Sequence, residues 1–84
     1  MEWETQEINS RWILFNTIIF GDKNIIYRKK WIKENYIKMI EESTFEKERG
    51  KFVPCSIIYY TPDKWDMVRE TLEEVEKIMF EEDA

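Results

Sequence analysis

Carboxylates, lysines and aromatic rings are the groups through which this chain can do chemistry, because the more versatile ones are missing. There is no histidine. That removes the commonest general base, the usual partner of a serine or cysteine nucleophile, and the commonest metal ligand. One cysteine, Cys55, cannot build a thiolate cluster for zinc or iron–sulfur. Gly21 and Gly50 stand far apart and make no phosphate-cradling loop. Eighteen Asp and Glu offer many carboxylate pairs, but acid–base work requires one of a pair to be desolvated. Most of these acids fall on the polar faces of the predicted elements. The expectation is a protein that is not an enzyme, with no catalytic residue, no metal site and no cofactor.

What remains is charge, and it is unevenly spread. Residues 62–84 hold nine acids against three cations, whereas residues 23–38 hold six cations against one acid. If the C-terminal stretch is a helix with Trp65, Val68, Leu72, Val75 and Met79 facing inward, then Asp63, Asp66, Glu70, Glu73, Glu74 and Glu81 share its outer face. Acids four residues apart on a helix rise about 6 Å along its axis, a loose imitation of a phosphate row. This face is expected to bind a basic surface on a protein partner. The alternative site is the basic segment 28–38, where Arg28, Lys29, Lys30 and Lys33 surround Trp31. Cations interleaved with aromatics suit single-stranded nucleic acid. The overall charge of −5 puts nucleic acid second to a protein partner.

Elements must hold these groups. Residues 11–20, rich in β-branched and aromatic types, read as a strand. Gly21-Asp22-Lys23-Asn24 is a turn cluster, so a hairpin is predicted over 11–28. A rival reading makes 10–20 a helix, capped by Ser10 and ended by Gly21. Ile32, Tyr36, Met39 and Ile40 recur at helical spacing and predict a helix over about 29–43. Its lysines at the start and Glu41-Glu42 at the end would oppose the helix dipole, a local inconsistency of the kind that can mark function. FVPCSIIYY at 52–60 reads as a strand, and Thr61-Pro62-Asp63 as the start of a helix running to about 81. A lone strand at 52–60 would leave backbone groups unpaired, which favours the strand reading of 11–20. The predicted fold is α+β, a three-stranded antiparallel sheet with two helices in ββαβα order. It forms one domain over residues 1–84, with 1–10 an acidic lead-in.

Neither face of the 11–20 strand alternates cleanly with polar residues, so an apolar patch and a homodimer are expected. The function expected is a small acidic interaction protein, an inhibitor or modulator of another macromolecule. The A/T-rich codon preferences of its residues suit a virus-type host-takeover or anti-defence factor. Acidic first residues lack the basic start of a signal sequence, and no apolar run is long enough to span a membrane. With one cysteine, a reducing compartment follows: the cytoplasm, or the host cytoplasm for a viral protein.

Overall fold

The computed structural model describes residues 11–80. Its elements run β1 (Trp12–Phe20), β2 (Ile25–Lys33), a 3-10 turn (Glu34–Tyr36), β3 (Met39–Glu48), β4 (Lys51–Thr61), β5 (Lys64–Val68) and α1 (Leu72–Phe80). The strands form a five-stranded sheet in the order β2-β1-β5-β4-β3, and every neighbouring pair is antiparallel.

Local chemistry explains the connections. At the β1–β2 turn the Gly21 amide donates to the Asn24 carbonyl at 2.9 Å. A Cβ on Gly21 would stand only 3.1 Å from Asn24 Oδ1 and 3.2 Å from its carbonyl oxygen, so the turn is built around a glycine. Gly50 closes the β3–β4 hairpin with φ of 79°, a backbone region that side chains resist. Between β4 and β5, Pro62 and Asp63 form the corner, and Thr61 Oγ1 accepts the Asp63 amide at 3.2 Å. Helix α1 begins on a reciprocal cap. Glu74 accepts the Thr71 amide at 2.9 Å, while Thr71 Oγ1 accepts the Glu74 amide at 3.2 Å.

Strand alternation sorts the core into two clusters. Ile13, Phe15, Ile32, Ile58 and Val68 lie on one face of the sheet, and Val75 of α1 packs on them. Ile18, Phe45 and Cys55 lie on the opposite face, with Ile25, Val53 and Met67 against them. One nine-residue helix cannot cover both faces. The sheet solves this by curling: Phe20 of β1 meets Phe45 of β3 edge-on, with ring centroids 6.2 Å apart, although β5 and β4 lie between their strands. The curl turns about a narrow joint, since β1 and β5 share only the pair Thr17–Val68.

The expected three-stranded sheet with two helices is therefore overturned. Strands do occupy Trp12–Phe20 and Lys51–Thr61, and the hairpin is longer than predicted because all nine residues of β1 find partners in β2. The predicted helix at 29–43 is instead the end of β2, a turn and the start of β3. Its reversed charges, lysines first and glutamates last, were an argument against a helix and cost nothing in a strand. The predicted helix at 62–81 begins only at Leu72. Thr-Pro-Asp serves a tight turn as well as a helix start, and here it turns the chain from β4 into β5. Trp65, expected inward, is 54 % exposed on β5, and Leu72, expected mid-stripe, is half-buried at the first helical position.

Candidate functional site

The acids predicted to share one helix face are dispersed. Asp63 sits in the β4–β5 turn and Asp66 on β5. Asp66 Oδ2 accepts Lys30 Nζ at 2.7 Å and the Tyr60 hydroxyl at 2.6 Å. Glu70 lies in the connection before α1 and accepts the Asn16 amide and its side-chain Nδ2, the latter at 2.8 Å. Glu74 is committed to the helix cap. Glu73 is exposed on the first turn, and Glu81 lies outside the described residues, as does the acidic lead-in 1–10. The common register that motivated an acidic binding face depended on a long helix, and that helix is absent here. Three of the six acids hold the fold together.

The basic segment fares differently. Arg28, Lys29, Lys30, Trp31 and Lys33 all lie on β2, an edge strand of the sheet. Alternation sends Arg28 and Lys30 to the face that carries α1, together with Ile32. Tyr27, Lys29, Trp31 and Lys33 go to the other. On that outer face Trp12 pairs with Lys33, Leu14 with Trp31, Asn16 with Lys29 and Ile18 with Tyr27. Trp31 is 60 % and Trp12 56 % exposed. Lys33 Nζ stands 5.8 Å from the Trp12 ring centroid, and the Arg69 guanidinium 4.9 Å from that of Tyr27. Past the strand end, exposed Tyr36 joins Trp12 and Trp31 around a shallow groove of about 260 Å³, also lined by Lys30, Lys33 and Tyr60.

Electrostatically this surface is mainly positive, with the Glu70 carboxylate entering it at the Asn16 side chain. The outward residues of β1 and β2 include no carboxylate. Among the described residues, Lys29, Lys33 and Arg69 form no ion pair. The nearest acid in sequence, Glu34, is held by Arg11, which also donates to the Ile78 and Met79 carbonyls at the end of α1. Lys30 is neutralised by Asp66. On the outer face of β2, Lys29 and Lys33 are thus left free beside exposed rings.

Elsewhere the chemistry is quiet. Cys55 is fully buried, and burial pushes its thiol above the ordinary value, against a smaller lowering by its bond with Ser43. Among the described residues no group of three or more Cys, Asp or Glu could hold a metal ion, and no helix is long and apolar enough to cross a membrane. Sequence reasoning missed Trp12, Tyr36 and Arg69 as members of the basic face. The signal available was the cross-strand register, since a hairpin turning at 21–24 sets Trp12 beside Lys33. It also missed the Thr71-x-x-Glu74 cap, which is written plainly in the sequence. No family model, no curated protein and no solved structure matches this chain.

Proposed function

We propose that the protein is a nucleic-acid-binding module that uses the outer face of the β1–β2 hairpin. The observation that carries this is the pairing of exposed Trp12, Trp31 and Tyr27 with Lys29, Lys33 and Arg69 on strands whose own outward residues include no carboxylate, the Glu70 carboxylate being bound to Asn16. Exposed tryptophans are expensive to leave in water, and unpaired cations beside them suit a polyanion with flat apolar rings. The overall charge of −5 does not oppose this. Association follows the local field, which salt confines to about 8 Å at physiological ionic strength, and the acids cluster on β3, the β4–β5 turn and α1.

Binding of a labelled oligonucleotide, followed by fluorescence anisotropy across a salt series, tests the reading. Each phosphate neutralised on a single strand contributes about −0.7 to the slope of log affinity against log salt, so three cations give about −2. The double change Lys29→Gln with Lys33→Gln is expected to flatten that slope by about 1.4 and to leave the circular dichroism spectrum unchanged. Absence of salt-dependent binding in the wild type would defeat the proposal. So would an unchanged slope in the double variant.

A further inference from the structure

We infer that the ligand of this face is a strand with unpaired, unstacked bases, held by stacking on Trp12 and Trp31; the inference rests on the reading above and narrows it. Trp12 and Trp31 are diagonal neighbours, because Trp12 stands opposite Lys33 and Trp31 opposite Leu14. Diagonal partners on an antiparallel pair lie about 7–8 Å apart. Successive bases in a helical stack rise about 3.4 Å, so two neighbouring bases of a duplex cannot each meet one of these rings. Within a duplex the base faces are also covered by their neighbours. A splayed strand offers both the wider spacing and free ring faces.

The cations fit the same picture. Lys33 lies against the Trp12 ring at 5.8 Å, and Lys29 follows Trp31 along the outer face of β2 two residues away. A strand laid across the hairpin would therefore meet ring and ammonium alternately, bases on the former and phosphates on the latter. Tyr36, 52 % exposed and lining the same groove, provides a third ring beyond the strand end. Stacking on an aromatic side chain contributes about 1–3 kcal/mol per base, which makes the rings at least as important as the charges.

A second exposed aromatic pair in the same molecule serves as the control. Trp65 lies beside Tyr59, ring centroids 5.9 Å apart, but the Tyr59 hydroxyl donates to Glu41 at 3.1 Å, and Trp65 stands between Lys64 and an Asp66 already paired with Lys30. That site ties one of its two rings to a carboxylate and is not expected to hold a polyanion.

The experiment compares four probes on the nuclease-treated full chain: oligothymidylate, an abasic strand of equal length, the duplex of equal length, and heparin. Oligothymidylate is expected to bind roughly tenfold or more tighter than the other three, from one to three kcal/mol per stacked base. Trp12→Leu and Trp31→Leu should each remove about tenfold of that affinity while changing heparin binding less than about twofold. Trp65→Leu should change neither. Wild-type tryptophan fluorescence should be quenched by oligothymidylate but not by the abasic strand. If the abasic strand or the duplex binds as tightly as oligothymidylate, unpaired bases are not the ligand and the inference fails, while the hairpin remains a polyanion site. If none of the four probes binds, the proposed function itself fails. Loss of native dichroism in a tryptophan variant is met by repeating the comparison with Trp31→Phe, which keeps a ring and should keep at least half of the preference.

Discussion

Ser56 is wholly buried at the middle of β4, and its hydroxyl has no hydrogen-bond partner among the described residues. Thr17, nearly as buried, donates its hydroxyl to the Arg28 carbonyl at 2.8 Å. A buried polar group without a partner costs about 1–3 kcal/mol. Ser56→Ala is therefore expected to raise stability by about 1 kcal/mol in a urea melt, whereas Thr17→Val should lower it by a similar amount. Tyr60 makes a pH prediction at the same scale. Burial first, then the hydrogen bond to Asp66 and its charge, hold the Tyr60 phenol well above its ordinary value near 10. Tyr59 moves the same way through Glu41. The folded state thus keeps a proton that the unfolded chain sheds, so the stabilisation is complete below about pH 10 and is lost as the pH climbs beyond it. Denaturant midpoints measured from pH 9 upward should fall, and Tyr60→Phe should flatten that fall. A slope unaffected by Tyr60→Phe would show that other groups govern alkaline unfolding.

Among the elements, α1 is the one that depends most on its end. Nine residues form a marginal helix by themselves, so the Thr71–Glu74 cap and the burial of Val75 decide whether it forms. Glu74→Ala is expected to cost about 1 kcal/mol and Glu73→Ala, exposed and uncapping nothing, about zero. Equal losses from the two would mean that charge near the helix start matters and the reciprocal cap does not. The strands show a different dependence. The second half of β2, from Lys29, reads as the start of a helix by spacing, yet its nine-residue ladder with β1 leaves no room for one. Once β1 exists, its backbone groups need partners, and the adjacent segment after a four-residue turn is the one at hand.

For the whole molecule, the weak point is the joint between the β1–β2 hairpin and the rest. Its polar contacts include the pair Thr17–Val68, the Arg69 amide donating to the Asn16 carbonyl at 2.7 Å, the Glu70 carboxylate on Asn16, and the Lys30–Asp66 ion pair. The β3–β4 ladder, by contrast, pairs continuously from Met39 to Glu46. Native-state hydrogen exchange is expected to show the hairpin opening as a unit at lower free energy than β4. Asp66→Ala should widen that gap, because it removes the Lys30 ion pair that crosses the joint. Uniform protection across both ladders, unchanged in the variant, would show that the sheet opens as one body. The joint also bears on function, since it sets the outer face of the hairpin away from the acids of α1.

Sequence by itself determined the local events. The turn at 21–24, the strands on either side of it, the strand around Pro54 to Tyr60, and the absence of histidine and of a cysteine cluster all follow from residue types within a few positions. The basic segment was legible too, as cations around Trp31. What only the tertiary structure decided were the competitions between elements. Ile32, Tyr36, Met39 and Ile40 fit a helical spacing, and Trp65 to Met79 fits one better still, but periodicity records possible burial and not which partner provides it. β1 pairs with β2, and β4 with both β3 and β5, so segments with helical spacing find their backbone partners in neighbouring strands instead. The same pairing placed Trp12 opposite Lys33 and scattered the acids that a long helix would have aligned. The face that can bind therefore arose from strand register, a relation between residues about twenty positions apart that neither composition nor spacing along the chain contains.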